Sequence, residues 1–562
     1  MKCRDIGPFG SKILLVGDAP SREEAQRGEP FVGQSGKLLK QMLQHVGIEY
    51  RNCYVTNVVN ERPPSNKFDT FYEEKGRKNP TTYLQNAWAT LRKKVQDLKP
   101  NIVLALGAEP LRALTNRTSI KAWRGSIIQT LGTKVIATYH PAAILRQYSW
   151  HPIFELDAAK ALRYSTIKEY SEPPTNIILK PDLTDALHFI ANIGKRISFD
   201  LETVGQHIRC MGIATGDTKK PRAIVIPFIS FQNSGGFEIN KGVLKIGSLT
   251  SQPATSYWKA EDELLVLDAI NNLFSNKQIE VVGQNSMSFD ELLMIRHFKI
   301  PIANHYMDTM HAHHDLYSEL PMSLDFLTTM YTDYSNYWSD KVTENDMSEW
   351  KYCAMDAIST LVCSYKIEEN LKDANMSDYY FNHRRPLALA LANAQMVGLD
   401  IDDDRRSELI KEQTKILEDW KSKISKIAKK EVNPNSPKQM KELLYDTMDF
   451  PQVRIKGKIT TDENALRALE RKFPNEPILE AIIMYRKTAK LIGTYLRAST
   501  DKDGKMRCSW NPSGTESGRI SSSKTIWKTG LQMQNIPKGI SRGTVNIRDM
   551  FIAGRTICGC QR

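Results

Sequence analysis

The chain has 562 residues, 41% hydrophobic and 25% charged, which fits several folded globular units and excludes a disordered, fibrous or disulfide-dense protein. Its cysteines, at 3, 53, 210, 353, 363, 508, 558 and 560, include no CxxC pair, the N-terminus MKCRDIGPFGSK carries no signal-peptide stretch, and no segment approaches the ~18 apolar residues that span a bilayer, so a cytoplasmic protein without membrane insertion is expected. The net charge of +13 divides into +11 over residues 1–170, −11 over 171–380 and +13 over 381–562: two basic blocks suited to a phosphate backbone flank an acidic one suited to divalent cations, although charge alone also fits a merely soluble surface.

In the first block, short apolar runs at Lys12 to Val16, Tyr54 to Val59, Ile102 to Leu106 and Val135 to Thr138 alternate with segments of helical spacing, which predicts an open α/β sheet. Asp18, Asn57, Gly107 and His140 each follow one of these strands. Residues beyond the carboxyl ends of such strands meet in one crevice, so a single site is expected. Taken singly, each has a plainer reading: Asp and Asn as caps, Gly as a turn, His140 as a surface residue before Pro141.

Together, GDAPSREEAQRGEPFVGQSGKLL, TNVVNERPP, LGAEPLRAL and YHPAAILR resemble the uracil-DNA glycosylase superfamily, most closely its family 4 type, over nearly all of residues 11–165. The resemblance implies a three-layer α/β/α domain at 1–170. Phe31 would stack on an extruded uracil, Asn57 would bond its Watson–Crick edge, and His140 would stabilise charge developing on O2. Asp18, or Glu24 nearby, would orient water or stabilise the oxocarbenium-like sugar, and Arg146 would hold flanking phosphates. Flipping the base costs a few kcal/mol, which stacking and edge hydrogen bonds offset. Two departures stand out. The family has Glu where Asp18 stands, a change that shifts a catalytic contact by about an ångström. Only Cys3 and Cys53 are present where family 4 carries four cysteines, and Glu61 replaces one ligand, so no iron-sulfur cluster is expected. Active excision and a DNA-binding or processivity role both fit such a fold.

The stretch Tyr170-Ser-Glu-Pro-Pro-Thr175 breaks both periodicities and reads as a linker. Beyond it, Arg196 to Leu201 reads as a strand with a partner around Ala223 to Phe228, and helices are expected at Glu261 to Phe274 and Ser348 to Asn370. In Arg196-Ile-Ser-Phe-Asp-Leu-Glu-Thr203, period two puts Asp200 and Glu202 on one strand face, where they repel unless they share a cation. GQNSMSFDELL supplies Asn285 and Asp290, and KYCAMDAIST sets Tyr352 and Asp356 on one helix face. This ordered set resembles the DEDDy 3'-to-5' exonucleases. The resemblance implies a ribonuclease H-like domain at 171–380 with Asp200, Glu202, Asp290 and Asp356 binding two Mg2+ or Mn2+ ions, Tyr352 orienting water, and Asn285 contacting DNA. His311, His313 and His314 offer a competing zinc reading, but no carboxylate or cysteine is spaced with them as a zinc motif, and a helix face explains them.

The third block opens with helices and the lysine-rich run Lys421 to Lys430. NPNSPKQMKELLYD, Gly457 to Glu463 and YRKTAKLIGTYL resemble the thumb of family A DNA polymerases; GTESGRISSS and LQMQNIPKG resemble the thumb–palm junction. That likeness implies a mainly α thumb and incomplete palm at 381–562, with Arg519, Ser522, Gln534 and Asn535 on the primer or template backbone. After Arg548-Asp-Met-Phe-Ile552 the metal-binding acids of the palm do not follow, so nucleotidyl transfer is not expected from these residues alone. The overall expectation is an α/β multidomain chain resembling the N-terminal part of a phage-type family A DNA polymerase, acting in DNA replication with a possible separate C-terminal polymerase fragment. The alternatives are a free-standing uracil repair glycosylase with an accessory nuclease, or a noncatalytic DNA-holding subunit.

Overall fold

The computed structural model describes residues 2–205, 207–230, 237–240, 243–246, 255–335, 346–455, 457–537 and 546–552. It forms two compact units, Met1–Pro386 with Glu516–Gly518, and Leu387–Thr515 with Arg519–Arg562.

The first unit begins with strands β1 (Ile13–Gly17), β2 (Tyr54–Asn57), a hairpin of β3 (Tyr72–Glu74) and β4 (Lys78–Pro80), β5 (Ile102–Leu106), β6 (Ile127–Thr130) and β7 (Thr133–Thr138). Five of these make a sheet of order β2-β1-β5-β7-β6, parallel except for β6. Helices α1 (Arg22–Arg27), α2 (Gln34–His45), α3 (Thr82–Leu98), α4 (Ala108–Thr115), α5 (Pro141–Ile144) and α6 (His151–Ser165) connect them. Strand β1 is buried at every residue because both its faces are covered. Ile13 and Leu15 pack with Leu39, Met42 and Phe154 of α2 and α6, while Leu14 and Val16 pack with Leu84, Leu91 and Leu111 of α3 and α4. This is the expected three-layer α/β/α arrangement. The four predicted strands are present; the antiparallel β6 and the β3–β4 hairpin carry no comparable apolar run.

After residues 166–175, which form neither helix nor strand, the same unit continues with β8 (Asn176–Ile178), β9 (Arg196–Val204), β10 (His207–Thr215), β11 (Arg222–Pro227), β12 (Glu280–Gly283) and β13 (His305–Asp308). The sheet order is β13-β12-β9-β10-β11-β8. Strands β9, β10 and β11 are successive antiparallel neighbours, and β12 and β13 run parallel to β9. This is the ribonuclease H-like pattern. One expectation is corrected: the partner of β9 is β10, with Met211 opposite Leu201, and Ala223 to Phe228 lies one strand further out. The segment HIRCMGIAT is buried on both faces, including Arg209, and so shows no alternation. Helices α7 (Ala260–Ser275), α8 (Asp290–Phe298), α9 (Thr309–Leu316), α10 (Leu324–Tyr331) and α11 (Asp346–Asp373) complete the domain. Cys353, Ala354, Ala357, Ile358 and Leu361 of α11 pack on Cys210, Ala214 and Val225 of the sheet.

The second unit contains α12 (Asp403–Ala428), α13 (Glu463–Lys472) and α14 (Pro477–Lys490), with a core of Ile424, Leu466, Leu469, Ile482 and Leu443. A second core joins Leu409, Leu491, Tyr495, Leu496, Met506 and Leu531. Short strands β14 (Asp400–Ile401), β15 (Ser509–Asn511), β16 (Ser521–Ser523) and β17 (Phe551–Ile552) pair as β14–β17 and β15–β16. The closing residues 553–562, on which the expectation of absent palm carboxylates rests, lie outside the described residues, as do Lys538 and Gly539. Among the described residues, no helix is long and apolar enough to cross a membrane.

Candidate active sites

The sheet order places the strand-end residues of the first domain around one cavity of about 380 Å3. Asp18 beyond β1, Asn57 at the end of β2, Gly107 beyond β5 and His140 beyond β7 all line it, together with Phe31, Glu24 and Arg146. The site lies where strand order reverses about β1, the usual ligand position in open α/β sheets.

Phe31 is buried with a left-handed φ of 54°, a conformation that costs a bulky residue of order 1–2 kcal/mol. Glu24 holds it there: one carboxylate oxygen accepts the Phe31 N–H at 2.6 Å and the other accepts the Ser21 N–H at 2.6 Å, closing the capping box of α1. Gly17 leaves the room this requires, since a Cβ there would lie 2.4 Å from Asn57 Oδ1 and 2.7 Å from Phe31 Cζ. The Phe31 and His140 rings face the cavity with centroids 6.2 Å apart.

His140 Nδ1 accepts the Ala142 N–H at 3.1 Å. Burial lowers the ring to about 4, partly countered by Glu24 and reinforced by Arg146. A neutral imidazole that accepts at Nδ1 carries its proton on Nε2, so His140 is a hydrogen-bond donor at neutral pH. Asp18 Oδ1 is buried without a protein partner, and burial raises the carboxyl to about 7 against the pull of Arg77. Glu24 is thus occupied structurally, and Asp18 is the acid with a free oxygen.

Sequence reasoning missed Arg77. It sits in the β3–β4 turn, lines the same cavity, and pairs with Asp69 at 2.7 Å and buried Glu109 at 2.6 Å. Its only sequence signal is the KGRK turn. Glu61 pairs with Lys2 at 3.4 Å, and burial first of all raises the Cys3 and Cys53 thiols to about 11 and about 12. Cys3 and Cys53 are the two cysteines within residues 1–170, fewer than the four thiolates such a cluster requires, so the residues of this domain do not fit an iron-sulfur group.

In the second domain, Asp200 and Glu202 share one face of β9, and Asp356 reaches them from α11; ligand oxygens of the three lie within 4.8 Å of one another. Burial raises both Asp200 and Glu202 well above the carboxylate range; next in weight come Asp356 for Asp200 and Asp200 for Glu202. Such a cluster is relieved by a divalent cation, and its hard oxygen donors fit one. Asp290 stands at the start of α8, outside this group of three. Its Oδ1 accepts the Leu201 N–H at 3.1 Å, and burial raises its carboxyl to about 8. Tyr352, one turn before Asp356 on α11, is hydrogen-bonded to the Asp356 carboxylate.

Asn285 is held at φ 58° by Asp308, whose buried carboxylate accepts the N–H groups of Asn285, Met287 and Met310 at 3.0–3.3 Å. Asp308 was not singled out from sequence; a Ser or Asp before a helix is an ordinary cap signal. His311, His313 and His314 are buried on α9, with His313 Nδ1 2.8 Å from the Tyr331 hydroxyl, and join no group of three metal-ligating side chains among the described residues.

In the second unit, Gln534 Nε2 donates to Ile520 O at 2.7 Å and its N–H to Ser522 Oγ at 3.4 Å, drawing both beside β16. Asn535 O accepts the Tyr495 hydroxyl at 2.8 Å. Asn535 also lines a cavity of about 550 Å3 with Lys490 and Lys524. Arg519 is exposed, its backbone N–H bonded to Thr515.

Comparison with known proteins matches residues 4–163 to the uracil DNA glycosylase superfamily, 177–372 to the 3'-5' exonuclease family, and 403–560 to DNA polymerase family A. The type-4 uracil-DNA glycosylase of Archaeoglobus fulgidus is 33% identical over 164 residues, 28% of this chain and 77% of that protein. That of Thermotoga maritima is 36% identical over 147 residues, 25% of this chain and 71% of that protein. DNA polymerase I of Streptococcus pneumoniae is 30% identical over 187 residues, 33% of this chain but only 20% of its own length. A solved structure of the POL domain of Pol1 from M. smegmatis aligns with a TM-score of 0.49 and 18% identity, over 68% of this chain and 59% of that one. The chain belongs to the uracil-DNA glycosylase superfamily through residues 4–163, and it continues into a 3'-5' exonuclease domain and a DNA polymerase family A domain.

Proposed function

We propose that this chain acts on DNA in replication, excising uracil at the first cavity and removing 3'-terminal nucleotides at the carboxylate cluster, while the second unit holds primer and template. The observation that carries the reading is the convergence of Asp18, Phe31, Asn57 and His140, from separate stretches of sequence, on one cavity.

An extruded uracil stacks on Phe31 and presents its edge to the Asn57 amide. As the N-glycosidic bond breaks, the base leaves as an anion and the His140 Nε2–H donates to its O2. A preorganised donor of this kind contributes about 3–4 kcal/mol to the transition state. Asp18 holds the water whose oxygen bonds to C1′ and accepts its proton. Arg146, at the cavity rim, holds a neighbouring phosphate.

At the second site Asp200, Glu202, Asp356 and Asp290 would hold Mg2+ or Mn2+. When bound, such ions lower the pKa of water and stabilise a departing 3' oxygen. Tyr352, fixed by Asp356, orients the water, and Asn285 holds the DNA end. Arg519, Ser522, Gln534 and Asn535 lie against the backbone and carry no sequence information.

The test uses end-labelled single-stranded DNA, with and without an internal uracil, and the full chain. Alkali-sensitive breakage at uracil is expected to vanish in His140→Ala and persist in Asp200→Ala. Stepwise shortening is expected to do the reverse. Breakage surviving in His140→Ala would refute the glycosylase assignment.

A further inference from the structure

The glycosylase and exonuclease domains of the first unit share a buried seam at α10. Lys160, buried on α6, donates to the carbonyls of Thr329 and Thr332 at 2.9 Å each, capping the C-terminus of α10. Three residues earlier on α6, Asp157 forms a buried pair with Arg124 at 2.5 Å, and the Arg124 guanidinium lies 4.6 Å over the Phe326 ring of α10. Ile153, also on α6, packs in the core of the other domain with Val282, Met307 and Leu327. The same core joins α10 to Cys363 and Ile367 of α11.

This seam reaches the uracil cavity. Tyr139 and Trp150 stack with centroids 4.2 Å apart at 13°. Both pack against the cores of both domains, and both line the cavity. Tyr139 immediately precedes His140, and Trp150 closes the loop that His140 opens. The His140 ring is bonded within that loop, through Ala142, so the direction of its Nε2–H follows the loop's two aromatic anchors.

We propose that the exonuclease domain is a structural part of the uracil site: α10, through Phe326, Lys160 and the Tyr139–Trp150 stack, positions the His140 imidazole, so uracil excision in this chain depends on the neighbouring domain. The proposal rests on the reading of His140 as the donor to uracil. Phe326 and Lys160 touch neither base nor sugar and are positioning residues.

The test compares full-length Phe326→Ala and Lys160→Met with wild type in single-turnover excision, in 3' nucleotide removal, and in the imidazole NMR signal of His140, assigned by its loss in His140→Ala. Excision is expected to fall by about tenfold or more, as a misplaced catalytic group does, with 3' removal within about twofold of wild type and the His140 signal shifted. Lys160→Arg, which keeps a cation at the end of α10, is expected to restore most of the rate. Excision unchanged in both variants would overturn the proposal, and so would parallel loss of both activities, which marks general unfolding. If wild type excises no uracil, the functional reading fails by itself; the seam then stands or falls on whether the His140 signal shifts.

Discussion

On the proposed reading, Asp18 gives uracil excision at the first cavity a pH dependence whose shape follows from its burial. Its carboxyl is raised to about 7, burial outweighing the nearby Arg77 charge. If ionised Asp18 accepts the proton from water, about one tenth of the protein is competent at pH 6 and about one hundredth at pH 5. The single-turnover excision rate should therefore rise about tenfold per pH unit up to about 7 and level off above it. His140, lowered to about 4, stays neutral throughout and adds no second limb. Removing the opposing charge in Arg77→Met should move the midpoint higher still. The same carboxyl sets a stability cost. A buried acid with a raised folded pKa binds its proton more tightly when folded, so its ionisation destabilises the fold as pH rises from about 4 through about 7. The full cost is up to about 4 kcal/mol, reduced by whatever solvent the cavity admits. Asp18→Asn should abolish excision yet gain stability over wild type at pH 8, with little difference at pH 4. A flat rate profile between pH 5 and 8, a midpoint near 4, or an Asp18→Asn protein no more stable than wild type at pH 8 would refute the assignment.

Gly17→Ala places a methyl group against Asn57 and Phe31 and should weaken binding of uracil-containing DNA by about 1–3 kcal/mol, roughly fivefold to 150-fold in an equilibrium titration. Unchanged affinity would show that the base lies elsewhere. In calorimetry, Mg2+ at about a hundred times its dissociation constant should stabilise wild type by about 2.7 kcal/mol, and Asp200→Ala should lose that gain together with 3' nucleotide removal. A magnesium effect that survives Asp200→Ala would place the ion elsewhere. Arg209→Leu strands buried Glu349 and should cost about 3–5 kcal/mol in urea denaturation, with Arg209→Leu combined with Glu349→Leu milder. A double variant as unstable as the single one would contradict that account.

What the sequence revealed was set by periodicity. Parallel strands buried on both faces appear as uninterrupted apolar runs, so β1, β2, β5 and β7 and the crevice at their ends were legible, and period two put Asp200 beside Glu202. The same criterion failed for β10, where a buried arginine and cysteine interrupt the run. Side chains that act through long-range contacts were invisible: Arg77, in the β3–β4 turn, pairs with Glu109 and lines the same cavity as Asp18, and Asp308 meets Asn285 across neighbouring strand ends. That Glu24 is engaged by backbone N–H groups while Asp18 keeps a buried oxygen without a protein partner also needed coordinates, because the bond from Phe31 to Glu24 depends on the left-handed backbone of Phe31. The seam at α10 joins residues more than 160 positions apart, such as Lys160 and Thr329, with no local pattern to announce it.

Metal dependence separates the two chemistries most directly. A single strand labelled at its 5' end, carrying one internal uracil, is incubated with the full chain in EDTA and in Mg2+. In EDTA, an alkali-labile break at the uracil with no shortening from the 3' end is expected; in Mg2+, both should occur. Shortening in EDTA, or intact uracil under both conditions, would contradict the account.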